Sequence, residues 1–258
     1  MKQFVFTVDD NIRFLCDLTK REHGSIFDHP YLGVYWRLHQ KYGLKVQLNL
    51  FYEMPDFELS AVTARYRDEW AACADWLKLS FHSKLENAYP YEHSDYSEVY
   101  TDCANVHREI LRFASPQTLA STTTVHCCRA TDEGIAALRD NGVKGLLGLY
   151  GTAEKPRSSY QSTPVEGDMI RRGEIVSREG MAYAGIDVVL NLFSTEEILS
   201  KLSLLAELPL VKVMIHEQYF YADYRAYQPD FEAKLDATFA YLTGKGFQSA
   251  FYENLLGD

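Results

Sequence analysis

In this 258-residue chain the side chains best suited to chemistry stand at the ends of apolar runs. Asp9 and Asp10 close the run FVFTV near the start. Neighbouring side chains leaving a strand point in different directions, so one acid can bind a metal ion while the other faces substrate or an activated water. The same pair could also serve only to cap a following helix. His82 ends the run LKLSF, and Glu86 follows at the i, i+4 spacing that puts two side chains on one face of a helical turn. With Asp10 they would give one nitrogen and two carboxylates, a set that leaves a coordination position open. His93, further along the same loop, is the reserve ligand.

His216 follows VKVMI and precedes Glu217, where an imidazole leaving a buried strand can act as a general acid or bridge two strand ends. His126 and Arg129 flank another strand end, and Arg129 could hold a catalytic carboxylate or an oxyanion. With Tyr52 and Glu217, also at strand ends, they make up the candidate substrate-binding set. Cys127 and Cys128 are expected to pack. The tyrosines at 89–100 and 219–227 could stack on sugar rings or anchor loops.

The elements that must carry these residues alternate. Short β-rich runs at 4–8, 46–51, 77–81, 122–127, 143–149, 186–193, 211–215 and 247–252 are separated by helical patterns such as YLGVYWRLHQKYG and DFEAKLDATFAYLTGKG. That order predicts parallel strands with crossover helices, and seven or eight such strands in one domain predict a single (β/α) barrel spanning 1–258. Gly43, Gly142 and Gly246 are placed to end helices in the left-handed conformation. Two stretches break the regularity: the loop at 83–95, and 151–185, which reads as an insertion with a hairpin turning near Gly173 and Gly180.

Composition narrows the partners. A net charge of -10 argues against nucleic acid, whose phosphates call for a basic face. Five cysteines without CxxC spacing indicate neither a disulfide framework nor a thiolate zinc site, and reduced thiols fit a cytoplasmic protein. No apolar run approaches the ~20 residues of a membrane span. The expected partner is a small-molecule or carbohydrate substrate.

The order Thr7-Val8-Asp9-Asp10, His82-Ser83-Lys84-Leu85-Glu86, a strand ending in His216, then KGFQSAFYENLL, resembles the polysaccharide deacetylases. Their motifs are T-F-D-D-G, H-[ST]-x-x-H and a late strand with L-H. The resemblance implies Asp9 as general base, Asp10 and His82 as ligands of a divalent metal, most simply zinc, and His216 as general acid. The family reaction removes an acetyl group from an N-acetylated sugar with metal-activated water. Asn11 stands where the family has glycine, Glu86 where it has the second histidine, and its arginine-proline motif has only a loose match in Arg129. A second carboxylate would neutralise the ion and shift preference from zinc towards manganese, cobalt or magnesium.

The sequence therefore predicts a divergent, metal-dependent hydrolase of amide or ester bonds on a carbohydrate-like substrate. Two other readings use the same rim: a catalytically silent saccharide-binding or interaction protein, and a glycoside hydrolase with paired carboxylates such as Asp9 and Glu217.

Overall fold

The computed structural model describes residues 1–86, 91–151 and 157–257. Its first sheet contains β1 (Lys2–Asn11), β2 (Val46–Phe51), β5 (Leu77–Ser83), β10 (Val188–Val189), β11 (Leu210–His216) and β12 (Phe247–Ser249). These run in the order β10-β11-β1-β2-β5, with β12 also on β1, and every pairing is parallel. A second sheet orders β6 (Thr122–Thr123), β7 (Gly145–Gly148), β9 (Met181–Gly185) and β8 (Val176–Arg178), with only β8 antiparallel. Between them in sequence, β3 (Glu53–Met54) and β4 (Phe57–Glu58) make a small hairpin beyond β2.

The two sheets meet at two seams. On one side Leu79 of β5 bridges Leu119 just before β6. On the other, β9 runs on into β10, and the Asp187 N–H between them donates to the Lys212 carbonyl at 2.8 Å. The result is the expected α/β arrangement of mostly parallel strands, barrel-like, with the ladder thinned at both seams.

Alternation along the strands divides the structure into an outer apolar layer and a polar interior. Phe4, Phe6 and Val8 belong to the main core, where Phe239 of α8 (Phe231–Gly244) packs 5.5 Å from Phe4 and 4.9 Å from Phe6 between ring centres. The other face of β1 carries Val5, Thr7 and Asp9. Val5 joins Leu147, Ala184 and Met214 in a second, small apolar cluster. Apart from that cluster the interior is polar: Thr7, Asp9, Gln47, Asn49, Ser80 and His82 are all buried.

The outer layer includes α2 (Pro30–Tyr42), α4 (Tyr96–Phe113), α5 (Asp132–Asp140) and α7 (Thr195–Leu205), with α3 (Arg67–Ala72) a short turn. Gly43, Gly142 and Gly246 have φ of 63°, 87° and 81°, as their place after helices requires.

Two helices, the β3–β4 hairpin and the parallel place of one strand were not foreseen. The segment α1 (Arg13–Lys20) begins without a capping side chain of its own, and α6 (Pro164–Arg171) lies in the stretch read as an insertion. Strand β9 lies there too and pairs parallel with β7, so this part of 151–185 belongs to the sheet. Its sequence, MAYAG, is made of small residues around one tyrosine and carries no Val, Ile or Thr to signal a strand. The expected hairpin is β8–β9, turning at Gly180 with φ 78°. Gly173 instead follows α6. The five cysteines are free thiols. Among the described residues no helix is long and apolar enough to cross a membrane.

Candidate functional site

The site lies where β1, β5 and β6 end. Parallel pairing of β1 with β2 is broken between Val8 and Asn11, and within that bulge Asp10 has φ 63°, which turns its side chain away from that of Asp9. Asn11, in place of the glycine of the resembling motif, holds the bulge together. Its amide donates to the carbonyls of Val8 at 2.6 Å and Asn49 at 3.1 Å, and its oxygen accepts from the Tyr31 hydroxyl at 2.6 Å. After β6 the chain makes a tight turn with Cys127 and Cys128 at φ 61° and 58°. Two consecutive residues in the left-handed region are costly, and here they direct His126 inward.

Asp10, His82 and His126 converge. Asp10 Oδ1 lies 3.0 Å from His82 Nε2 and 3.2 Å from His126 Nδ1, and the two nitrogens are 3.1 Å apart. His82 Nδ1–H donates to the Thr124 carbonyl, which leaves Nε2 with its lone pair turned into the cluster. One carboxylate oxygen and two imidazole nitrogens facing one another hold too few protons to satisfy all three edges. A divalent cation resolves that conflict, and the donor set fits one. Gln218 fixes the remaining Asp10 oxygen, donating to Oδ2 at 2.6 Å.

The electrostatics follow from this contact. Burial alone would raise the Asp10 carboxyl, but hydrogen bonds from His126 and His82 outweigh it and hold the group well below the usual range. Burial opposes charge on His126, yet Asp10 pushes that imidazole up to about 10. Asp9, 2% exposed, is raised by burial against the opposing pull of His82 and His216. Its Oδ1 accepts from Asn49 Nδ2 at 2.6 Å.

His216 stands beside Asp9 in the β1–β11 register. Its Nδ1–H donates to Asn191 Oδ1 at 2.8 Å, so Nε2 is the atom left to exchange a proton. Phe51 packs against both cluster imidazoles, 5.1 Å from the His82 ring and 5.2 Å from that of His126. Beside the cluster opens a cavity of about 940 Å³ whose wall includes Asp10, Phe51, Gln218 and the β3–β4 hairpin.

Other residues fall differently from expectation. Glu86, expected as third ligand, is exposed on the cavity wall, because the chain after Ser83 bends instead of making the helical turn that i, i+4 spacing needs. His126, expected to contact substrate, completes the cluster in its place. His93 is exposed. Tyr52 is half-buried, its N–H bonded to the Ser83 and Lys84 carbonyls. Arg129 pairs with Glu92 instead of a catalytic carboxylate. Of the tyrosines, Tyr89 lies outside the described residues, Tyr91 is buried, and Tyr96 stacks on Tyr100 at the surface.

Glu217 does not face the interior. It is fully buried and accepts from the N–H groups of Ile12, Arg13 and Phe14 and from the Tyr221 hydroxyl at 2.7 to 3.0 Å. The carboxylate thus caps α1 from outside it. Asn49, Asn191 and Gln218 carried no sequence signal beyond lying at or near strand ends.

No family model matches the chain, and no curated protein does. Solved structures do match. A mutant of a CE4 family pseudoenzyme from Bacillus anthracis, described as having restored enzymatic activity, has a TM-score of 0.50 at 13% identity, over 99% of this chain and 68% of that one. An Enterococcus faecalis V583 protein, a candidate for cellobiose-phosphate cleavage, scores 0.55 at 12% identity over 99% of both chains. A 4-alpha-glucanotransferase from Thermococcus litoralis scores 0.58 at 11% identity, the match covering 98% of this chain and 40% of that one. This chain shares their fold. At such identities the likeness ends there, and activity must be argued from the site.

Proposed function

We propose that the chain is a metal-dependent hydrolase that removes an acyl group, most simply acetyl, from an amide or ester of a carbohydrate-like substrate. The carrying observation is the closure of Asp10 Oδ1, His82 Nε2 and His126 Nδ1 to within 3.2 Å of one another. These three residues would hold the ion. Bound there, a divalent ion supplies Lewis acidity, polarising an acyl carbonyl and making water easier to deprotonate. Asp9 then takes a proton from the attacking water, its neighbour Asp10 being committed to the ion. Across the register His216 delivers a proton from Nε2 to the departing nitrogen or oxygen, steadied by Asn191 through Nδ1. The cavity beside Asp10 has room for a sugar, and Phe51 and Phe57 give it apolar walls.

His126 in place of Glu86 also changes the metal preference. Two neutral imidazoles and one carboxylate leave a divalent ion one positive charge, and this borderline-soft set suits zinc. The paired-carboxylate glycosidase reading loses its second acid, since Glu217 is spent on the N-terminus of α1.

The test is metal analysis of the purified protein together with acetate release from N-acetylated chito-oligosaccharides and acetylated xylan. About one ion per chain and metal-dependent acetate release are expected. A bound ion without turnover on either class, with saccharide still retained, would favour the silent binding protein. Failure to bind zinc, manganese or cobalt would remove the mechanism altogether.

A further inference from the structure

A chain of buried amides leads away from Asp9. Gln47, Asn49 and Thr122 are each at most 2% exposed. Thr122 offers its backbone carbonyl to Gln47 Nε2 at 2.8 Å, and its hydroxyl donates to Gln47 Oε1 at 3.0 Å. The second proton on Gln47 Nε2 goes to Asn49 Oδ1 at 2.8 Å, and Asn49 Nδ2 donates to Asp9 Oδ1 at 2.6 Å. The direction of this chain is fixed from its far end. A backbone carbonyl only accepts, so Gln47 must present its NH₂ there, Asn49 must present its oxygen to Gln47, and the Asn49 NH₂ is left to face Asp9. Among the described residues Asn49 is the side chain hydrogen bonded to Asp9, and no arginine or lysine pairs with it.

We propose that Asn49, held by Gln47 and the Thr122 carbonyl, is the positioning residue that aims Asp9 as general base. The assignment rests on the hydrolase reading above. Asn49 occupies Oδ1 and restrains rotation of the carboxylate, leaving Oδ2 to meet the attacking water. Because the tether is a neutral amide, it would orient the base without adding a cation beside the ion that Asp10 would hold. The backbone carbonyl of Asn49 is also an acceptor for the Asn11 amide, so one residue ties the base to the bulge that sets Asp10.

The experiment is a double-mutant cycle on the metal-loaded enzyme with Asn49→Leu, Asp9→Asn and the pair combined, read by kcat and KM separately. Asn49→Leu should lower kcat by about 10- to 100-fold, with KM within about twofold and metal content unchanged. In the Asp9→Asn background the same change should cost nothing further. An unchanged kcat, or an equal loss in both backgrounds, overturns the proposal. Should Asn49→Leu fail to fold, Gln47→Leu, which leaves Asn49 present but unaimed, carries the same test with a smaller loss expected. Inactivity of the metal-loaded parent would refute the hydrolase reading instead. The tether is then read by NMR from the Asn49 side-chain amide protons, expected to be slow to exchange in the parent and fast in Asp9→Ala. Equal exchange in the two would overturn the tether itself.

Discussion

His82 Nε2 and His126 Nδ1 face each other at 3.1 Å although 44 residues separate them in the chain. Asp10 Oδ1 completes the triangle, so removing any corner should abolish tight metal binding, while Glu86, exposed outside it, should be dispensable. Metal analysis should therefore show His82→Ala, His126→Ala and Asp10→Ala emptied and Glu86→Gln still loaded with about one ion per chain. An emptied Glu86→Gln protein with metal retained in His126→Ala would restore the ligand set expected from sequence.

Under the proposed function Asp9 and Asp10 are neighbours with opposite duties, and variants of each should separate them. Asp9→Asn should keep its metal and lose activity by about 10²- to 10⁴-fold, the range of a lost general base. His216→Gln should behave similarly on amides and lose less on esters, whose leaving groups need less help from an acid. Loss of the metal from Asp9→Asn would mean that both acids hold the ion.

The strand ends that carry the site were readable because apolar runs stop at Asp9, His82 and His216, and the pattern of alternation fixed the parallel sheets. What stayed hidden depends on backbone paths that spacing does not encode. Glu86 fits a ligand only if the chain coils after Ser83, and it bends instead. His126 reaches Asp10 through two left-handed cysteines, residues that do not advertise such a turn. Helix α1 escaped notice because its cap, Glu217, comes from the turn just after β11, more than 200 positions away.

That cap makes a stability prediction with a definite sign. Burial raises the Glu217 carboxyl to about 7, against the opposing hydrogen bonds of Ile12, Phe14 and Arg13. The unfolded chain releases this proton near the ordinary value of about 4.3, so from there to about pH 7 the unfolded state binds fewer protons than the native one. Stability should fall over that window, by up to on the order of 3 kcal/mol from this group, and level off above it. Glu217→Gln should remove that slope. Its deficit relative to the parent should be largest near pH 4.5 and smallest at pH 8, where the parent carries the buried charge and the neutral amide does not. Urea unfolding from pH 4.5 to pH 8 reads both effects, and a parallel slope in the variant would assign the titration elsewhere.

Lys212 poses the converse case, a buried cation at a seam between the sheets. Its side chain is 2% exposed, its Nζ lies 3.1 Å from Asp187 Oδ2, and that oxygen also accepts from the Lys212 N–H at 2.7 Å. The pair spans the junction where β9 passes into β10, and its carboxyl is raised by burial against the pull of Lys212. Desolvation and attraction nearly cancel in such pairs, so the loss of one partner costs far more than the loss of both. Asp187→Ala should destabilise the fold by roughly 3–5 kcal/mol, because Lys212 is left charged and unpaired. Lys212→Met with Asp187→Ala should recover most of that loss, the bond from Asp187 N–H to the Lys212 carbonyl being independent of either side chain. Equal destabilisation in the single and double variants would mean that the ion pair itself, through its charges, holds the seam together.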